Sequence, residues 1–305
     1  MDFIVIVNSI IILFLLMAVG YICFKSGIIN REGAKGLSSF LVNIALPSLI
    51  VVSMQIPLNA DTYSKTMEMF GIAAVFYILS FVFAVIIPRY LTESDLEKGV
   101  YGFMLLFSNL GFMGIPVSAA IFGQEAVFYT SLFMLPFGIL VFSVGVLMLR
   151  PDMGRYLDKK LFLNSGIIAS AAGLIFFFTG FQIPSPALDV LTILGSLTTP
   201  LAMIVVGALL ATMPFSGMIK DKKIYAMSFF RLIAIPVVLF IILKPFVDDP
   251  MLLGIPVILA AMPAAANAVL MAEEYGVDSN SASKGVFIST MLCVVTIPAI
   301  AVLLL

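Results

Sequence analysis

Long apolar runs recur along the whole chain and constrain its fold more than any other feature. A membrane-crossing helix needs about 20 mostly apolar residues, because the hydrocarbon core is roughly 30 Å thick. The runs predict ten such helices, at residues 3–23, 34–55, 66–88, 99–121, 126–149, 161–181, 187–212, 224–244, 250–274 and 281–304. Since 62% of the 305 residues are hydrophobic and 11% are charged, no water-soluble fold of this length buries them. The sequence therefore predicts an all-α integral membrane protein, with a single transmembrane domain over 1–305.

Basic residues lie mainly in the connections that follow the odd-numbered runs. Thirteen of the sixteen Lys and Arg are found there: Lys25, Arg31, Lys35, Arg89, Lys98, Arg150, Arg155, Lys159, Lys160, Lys220, Lys222, Lys223 and Lys284. The alternate connections hold only Lys65 and Lys244. Because cytoplasmic loops carry the excess of basic residues, the odd connections are predicted to be cytoplasmic. We expect a multi-pass protein of the cell (inner or plasma) membrane, with both termini on the outer side.

Glycine and proline positions recur at an offset of 153 residues. Gly20, Gly27, Pro47 and Gly123 pair in this way with Gly173, Gly180, Pro200 and Gly276, respectively. Two sets of five helices are inverted relative to each other, because an odd number of crossings reverses the second set. The sequence thus predicts two inverted five-helix repeats, at about 1–150 and 155–305, an arrangement typical of secondary transporters.

The fourth and ninth runs occupy matching places in the two predicted repeats, and both contain residues that interrupt helices. Proline removes a backbone donor, and glycine lets the chain leave helical geometry. The freed backbone groups persist in a membrane only where protein or a wet cavity surrounds them. We therefore expect helices four and nine to break and cross near the midplane, where helix N-termini suit a carboxylate. The candidate substrate-binding residues here are Asn109, Gly111, Gly114, Pro116, Pro263 and Asn267.

A second matched pair of prolines lies in the second and seventh runs, at Pro47 and Pro200. Asn43 and Thr199 place polar groups beside them. Two interpretations stay open for these four residues. They line the substrate path, or they mark kinked helices whose polar groups are satisfied locally.

Arg231 is a basic residue inside an apolar run, about seven residues from its start and so roughly 10 Å deep. One interpretation is that its side chain snorkels to the cytoplasmic surface. Another is that it pairs with Glu273 or Glu274 at the cytoplasmic end of the ninth run. A functional interpretation is that it attracts an anionic substrate that enters from inside.

The residue inventory argues against an enzyme. The chain has no histidine, and it shows neither paired intramembrane aspartates nor a nucleophile–base set. A passive channel, a remote alternative, would need repeated rings of pore-lining polar residues, and none is evident. No cofactor, metal or nucleic-acid partner is expected, and the coupling ion, Na+ or H+, is left open.

Four segments carry a resemblance to a known family. They are LVNIALPSLI in the second run, NLGFMGIP in the fourth, TPLAMIVVGALLA in the seventh and AAMPAAANAVLMAEEYG in the ninth. In these residues the sequence resembles the auxin efflux carrier family, which includes bacterial organic-anion carriers and the plant PIN-type auxin exporters. It looks like a bacterial member. Only RPDMGRYLDKK stands where the plant exporters carry a long cytoplasmic loop, so regulation through phosphorylation of that loop is not carried over.

The resemblance implies a ten-helix fold similar to bile-acid symporters and sodium/proton antiporters. Helices one, two, six and seven would form a scaffold, through which the family suggests a homodimer, and the others a transport domain that moves like an elevator. Asn109 and Pro116 match the family's crossover motif in helix four, and Pro263 matches the crossover proline in helix nine. Relatives move auxin, malate or malonate.

The leading hypothesis is a secondary transporter that exports small organic carboxylate anions across the lipid bilayer. An inside-negative potential favours export of an anion by about 2.3 kcal/mol per charge per 100 mV. The alternative on the same fold is a sodium- or proton-coupled symporter that imports the anion.

Overall fold

A computed structural model describes residues 3–150, 164–212 and 221–304. Arg155, Lys159, Lys160, Lys220 and the boundary between the predicted repeats lie outside the described residues. Helical stretches separated by a single residue are taken together. The helices are then α1 (Phe3–Lys25), α2 (Arg31–Ser53), α3 (Ala60–Leu91), α4 (Asp95–Leu106), α5 (Leu110–Phe122), α6 (Glu125–Leu149), α7 (Ser165–Thr179), α8 (Ala187–Thr212), α9 (Lys222–Leu243), α10 (Pro250–Ala260), α11 (Asn267–Glu274) and α12 (Ser279–Leu304).

All regular elements in the described part of the chain are helices, with an isolated bridge between Ser108 and Ala264 and no strand. Seven helices are long and apolar enough to cross a membrane, namely α1, α2, α3, α6, α8, α9 and α12. Three shorter apolar helices, α5, α7 and α10, have 10–17 residues each. The prediction of an all-helical, multi-pass membrane protein is confirmed. The count of ten crossings stays a prediction.

Three prolines follow a widened turn of helix. Five-residue π-helical turns occupy Leu41–Ala45 in α2, Leu110–Gly114 in α5 and Phe230–Ala234 in α9. Pro47, Pro116 and Pro236 each lie two residues beyond one of these turns. Proline has no N–H to donate and clashes with the carbonyl four residues back, and a wider turn accommodates this defect. These prolines therefore lie within helices that continue past them.

Packing divides the described residues into two compact units. The first contains those within 1–71, 111–138 and 159–212, and the second those within 72–110, 139–158 and 213–305. The first unit holds α1, α2, α7 and α8 whole, and the second holds α4, α9, α10, α11 and α12 whole. Each unit combines segments from both halves of the sequence, so this division does not test the predicted repeat.

In the first unit, α1 and α8 pack with their backbones in contact. A Cβ atom built on Gly207 would lie 1.9 Å from the carbonyl oxygen of Met17. A Cβ atom on Gly20 would lie 2.1 Å from the carbonyl oxygen of Ile204. Both contacts are shorter than any real carbon–oxygen contact, so glycine at these two positions allows the helices to approach this closely.

In the second unit, an ion pair ties the beginning of α4 to the beginning of α9. Lys223 Nζ lies 3.0 Å from Glu97 Oε2 and donates to Thr92 Oγ1 over 3.2 Å. Thr92 Oγ1 in turn donates to Glu97 Oε2. The hydrogen bonds from Thr92 and then Lys223 lower the pKa of the Glu97 carboxyl below its ordinary value of 4.5.

Replacing Glu97 with Gln is expected to lower the free energy of unfolding by at most about 1 kcal/mol at neutral pH, because the pair is partly exposed. Since folding lowers the pKa, the contribution of the carboxylate is fully present above its unfolded-state pKa. It is lost as the pH falls through the lower folded-state pKa, below about 4.5. Thermal unfolding in detergent, followed by circular dichroism between about pH 3 and pH 8, measures this difference.

The exposed neighbour Glu93 provides the control. Glu93→Gln removes the same charge from the connection just before α4 and is expected to change the melting temperature little at any pH. A stability difference between wild type and Glu97→Gln that is constant across the pH range would contradict the assignment of the ion pair.

Candidate functional site

Both helices that the sequence predicts to be interrupted are interrupted in the structure. The fourth run ends as α4 at Leu106 and resumes as α5 at Leu110. The ninth ends as α10 at Ala260 and resumes as α11 at Asn267, with Pro263 inside the break. The first break is not at Pro116, as its sequence motif suggested, because the π turn before that proline keeps α5 helical. The chain leaves helical geometry earlier, at 107–109.

The two breaks pair with each other inside the second unit. Ser108 and Ala264 form an antiparallel bridge. The Asn109 N–H donates to the carbonyl of Pro263 over 2.9 Å, and the Ala265 N–H donates to the carbonyl of Phe107 over 3.0 Å. Backbone groups freed by the two breaks thus satisfy each other, which is what permits non-helical chain inside a membrane protein.

A serine of α12 supports the second break and was not identified from the sequence. Ser289 is fully buried, and its Oγ accepts the Ala264 N–H over 3.2 Å and donates to the carbonyl of Val286 over 3.2 Å. The only sequence signal was a hydroxyl within the last apolar run, and such hydroxyls commonly bond within their own helix. Tertiary packing decides that the hydroxyl of Ser289 also binds the N–H of Ala264, in the second break.

Arg231 does not snorkel, and it makes no ion pair with Glu273 or Glu274. Its side chain is 0% exposed. Nε donates to the carbonyl of Met262 over 3.1 Å, Nη1 to that of Leu105 over 2.8 Å and Nη2 to that of Leu259 over 3.4 Å. Both sequence interpretations of its contacts are therefore wrong. They failed because carbonyls freed at the helix ends offered acceptors inside the protein, which the sequence does not show.

Polar side chains without hydrogen-bond partners lie at the paired breaks. Asn109 is 4% exposed and Ser108 1% exposed. Within the residues that the structure describes, Ser108 Oγ and the partly buried Asn267 Oδ1 have no hydrogen-bond partner. Such atoms also occur elsewhere in the described residues, for example Ser80 Oγ and Thr198 Oγ1. It is the position beside the paired breaks that makes Ser108 and Asn267 candidates for contact with a polar solute. Asn109, Pro263 and Asn267 of the predicted site all belong to this unit.

Three residues of the fourth-run motif belong to the first packing unit instead. Gly114 and Pro116 are buried, and Gly111 is partly buried. A Cβ on Gly111 would meet Leu46 Cδ2 at 3.4 Å, so this glycine lies against a side chain of α2. These residues lie along α5 within that unit, and their role in substrate binding stays a prediction.

Pro47 and Pro200, the second pair of predicted prolines, also lie in the first unit. Of the two interpretations of this region, the one in which polar groups are satisfied locally describes Asn43. Asn43 is exposed, its Nδ2 donates to the carbonyl of Ser39 over 2.9 Å, and its Oδ1 accepts from Ser165 Oγ over 2.7 Å. Asn43 therefore joins α2 to α7. Pro47, Thr199 and Pro200 are partly buried.

Glu273 and Glu274 are exposed at the end of α11. The cation found at this helix end is Arg150, whose Nη1 donates to the carbonyl of Tyr275 over 3.0 Å. A positive charge beside a helix C-terminus is favourable, because the last carbonyls there carry partial negative charge. The two glutamates thus lie at the far end of α11 from the paired breaks.

Comparison with known proteins identifies transporters along nearly the whole chain. The family described as "Membrane transport protein" matches residues 5–159 and 152–301. An "Uncharacterized transporter" of Methanothermobacter thermautotrophicus is 27% identical over 299 residues, covering 95% of each chain. A protein of Rhizobium meliloti named "Putative malonate transporter" is 22% identical over 300 residues, covering 95% of this chain and 92% of that protein. The chain therefore belongs to the membrane transport protein family, which is the auxin efflux carrier family that its motifs resemble.

Proposed function

We propose that the protein is a secondary transporter of small organic carboxylate anions, with its substrate site at the paired breaks of the fourth and ninth runs. The observation that carries the proposal is the pairing of two non-helical segments, Phe107–Asn109 and Met262–Ala265, inside a packed membrane unit. Non-helical chain within a membrane protein is found where protein buries it or where it lines a wet cavity, and the interrupted helices of secondary transporters form such sites.

The chemistry at the paired breaks favours an anion. The first N–H groups of α11 have no acceptor within the helix, and they carry the positive end of its dipole. That of Ala268 donates to the carbonyl of Ala265, just before the helix, over 3.0 Å. Asn109 and Asn267 add amide N–H donors at the same level. A carboxylate oxygen accepts from both kinds of donor, and the name of the Rhizobium relative, which refers to malonate, agrees with this solute class.

An inverted repeat with ten crossings is part of the proposal, and backbone conformation supports it. Four glycines have positive φ: Gly27, Gly123, Gly180 and Gly276. They form two pairs separated by 153 residues, the offset that relates the two sequence halves. Each follows the end of a helix, where a positive φ favours glycine. The same backbone device thus recurs at matching places.

We further propose an elevator mechanism that exports the anion, with both termini outside the cell membrane. Support comes from the first packing unit, which holds α1, α2, α7 and α8 whole, the helices assigned to a scaffold and to homodimer contacts. The excess of basic residues in the odd connections supports the orientation. No cofactor is proposed.

Flux into proteoliposomes tests the function directly. Purified protein is expected to carry radiolabelled malonate, or a related mono- or dicarboxylate, with saturable kinetics, while empty liposomes do not. Counterflow with unlabelled substrate on the inside distinguishes a carrier from leakage. Failure of a panel of carboxylates that includes malonate, malate and indole-3-acetate would overturn the proposal, and so would non-saturating conductance typical of a channel.

The coupled importer is the second candidate, because Ser108 Oγ and Asn267 Oδ1 are oxygens without described partners and sodium prefers oxygen ligands. The same vesicles separate the two candidates. Uptake that rises with an imposed sodium or proton gradient indicates coupling, and uptake that is indifferent to both indicates a uniporter driven by the anion gradient and membrane potential.

A further inference from the structure

Arg231 lies where two helices of the second unit end. α4 ends at Leu106 and α10 at Ala260, and the guanidinium binds carbonyls of Leu105 and Leu259 in their last turns. The last four carbonyls of a helix have no partner within it. One side chain from α9 therefore adds a donor to carbonyls at both helix ends, and at α10 it does so beside the Met262 N–H, which donates to the same Leu259 carbonyl over 3.3 Å.

The third bond brings the guanidinium next to the paired breaks. Nε donates to the carbonyl of Met262, and the next residue, Pro263, accepts the N–H of Asn109. The planar guanidinium presents donors in several fixed directions, which suits three carbonyls from two segments. A lysine ammonium carries the same charge on a single nitrogen and does not reproduce this fork.

The charge of Arg231 is balanced by helix ends rather than by a carboxylate. Within the described residues, its hydrogen bonds all go to backbone carbonyls. Each helix C-terminus carries about half a negative charge, so two of them offset about one positive charge. The fully buried guanidinium and the two helix ends thus form a nearly neutral group.

This balance decides which charge the paired breaks attract. A helix that ends at a break brings its negative end there, and the helix that resumes, such as α11 at Asn267, brings its positive end. Without Arg231, the negative ends of α4 and α10 would offset the positive ends of the helices that resume at the paired breaks. With Arg231 the negative ends are offset, and the positive ends remain available to a solute.

We propose that Arg231 is a positioning residue of the transport site: it ties the ends of α4 and α10 together and offsets their negative charge, so that the paired breaks select an anion. The selectivity part rests on the proposed transport function, whereas the structural tie does not. The two parts are therefore tested by separate measurements.

Hydrogen–deuterium exchange of the protein in nanodiscs tests the tie without any substrate. In Arg231→Gln, peptides that cover 105–112 and 260–268 are expected to exchange at least about tenfold faster, because the N–H groups of Asn109 and Ala265 lose their support. Peptides of α1 and α8 are expected to stay unchanged. Lys244→Gln removes a charge from the exposed far end of α9 and is the matched control. Unchanged exchange in both peptides would overturn the tie.

Competition measures the selectivity. Malonate uptake is inhibited either by malonamide, which is neutral, or by unlabelled malonate. The ratio of the half-inhibitory concentration of malonamide to that of malonate reports anion preference. Arg231→Gln is expected to lower this ratio at least about tenfold and to raise KM for malonate more than it changes kcat. Arg231→Lys keeps the charge and is expected to retain the preference while it exchanges faster than wild type. If Arg231→Gln does not fold, malonate-induced thermal shifts of Arg231→Lys and wild type provide the comparison.

The outcomes separate the two proposals. An unchanged preference in Arg231→Gln, or a preference lost equally in Arg231→Lys, would overturn the role of the charge while transport by the wild type stands. Absence of carboxylate transport by the wild type would overturn the proposed function and the selectivity with it. The exchange measurement would still decide whether Arg231 ties the two helix ends.

Discussion

Replacing Gly207 with valine is expected to deprive the protein of its native fold. The new Cβ would lie 1.9 Å from the carbonyl oxygen of Met17 and 2.8 Å from the amide nitrogen of Tyr21. Both are main-chain atoms, so no side chain can rotate away, and α1 must separate from α8. The cost should exceed the roughly 1–3 kcal/mol that overpacking a core commonly costs. Gly20, with its contact to Ile204, makes the same demand from the other helix.

Size-exclusion chromatography in detergent and a thermal melt measure this effect. Gly207→Val is expected to aggregate or to melt at least about 5 °C lower than wild type. Gly71→Val is the matched control, because a Cβ at Gly71 in α3 meets nothing within 4 Å. We expect the control to stay within about 1 °C of wild type. A Gly207→Val protein as stable as wild type would mean that α1 and α8 are farther apart than described.

Replacing Asn109 with alanine is expected to reduce carboxylate transport strongly without unfolding the protein. The main chain at 109 keeps its hydrogen bond to Pro263, because that bond uses the backbone N–H. What is lost is a buried amide whose N–H groups can donate to a carboxylate. Hydrogen bonds to charged groups contribute about 1.5–3 kcal/mol, which corresponds to a KM about tenfold or more above that of wild type.

Initial rates of malonate uptake over a range of concentrations give KM and kcat for this variant. Asn280→Ala, an exposed asparagine at the beginning of α12 in the same packing unit, is the control and should transport like wild type. Equal melting temperatures of both variants would show that the fold is intact. Wild-type kinetics in Asn109→Ala would remove this side chain from the substrate site.

Which two helices are interrupted could be read from the sequence, but the position of the first break and the atomic form of both could not. Pro263 lies in a break because a proline inside a membrane helix leaves acceptors without partners. Pro116 has the same local chemistry, yet α5 continues past it after a π turn. Local sequence sets the need to accommodate a proline, whereas the neighbours in the fold decide whether the helix widens or ends.

Arg231 and Ser289 show that the sequence also did not identify the hydrogen-bond partners of buried polar side chains. The sequence marked Arg231 as unusual because a charge inside an apolar run is costly. It did not show that the acceptors would be carbonyls of Leu105, Leu259 and Met262. Ser289 carried no distinguishing signal, although its hydroxyl holds the N–H of Ala264.

Membrane residence, helical structure, the identity of the two interrupted helices and the family follow from the sequence, because each depends on residues close together in the chain. Apolar content over about 20 residues and the chemistry of proline and glycine act locally. The pairing of the breaks and the contacts of Arg231 depend on tertiary structure. Arg231 and Leu105 are 126 positions apart, and no local pattern encodes which freed carbonyl a distant guanidinium will meet. Packing of α4, α9 and α10 decides that contact, because buried polar groups bond to whatever partners the fold brings within reach.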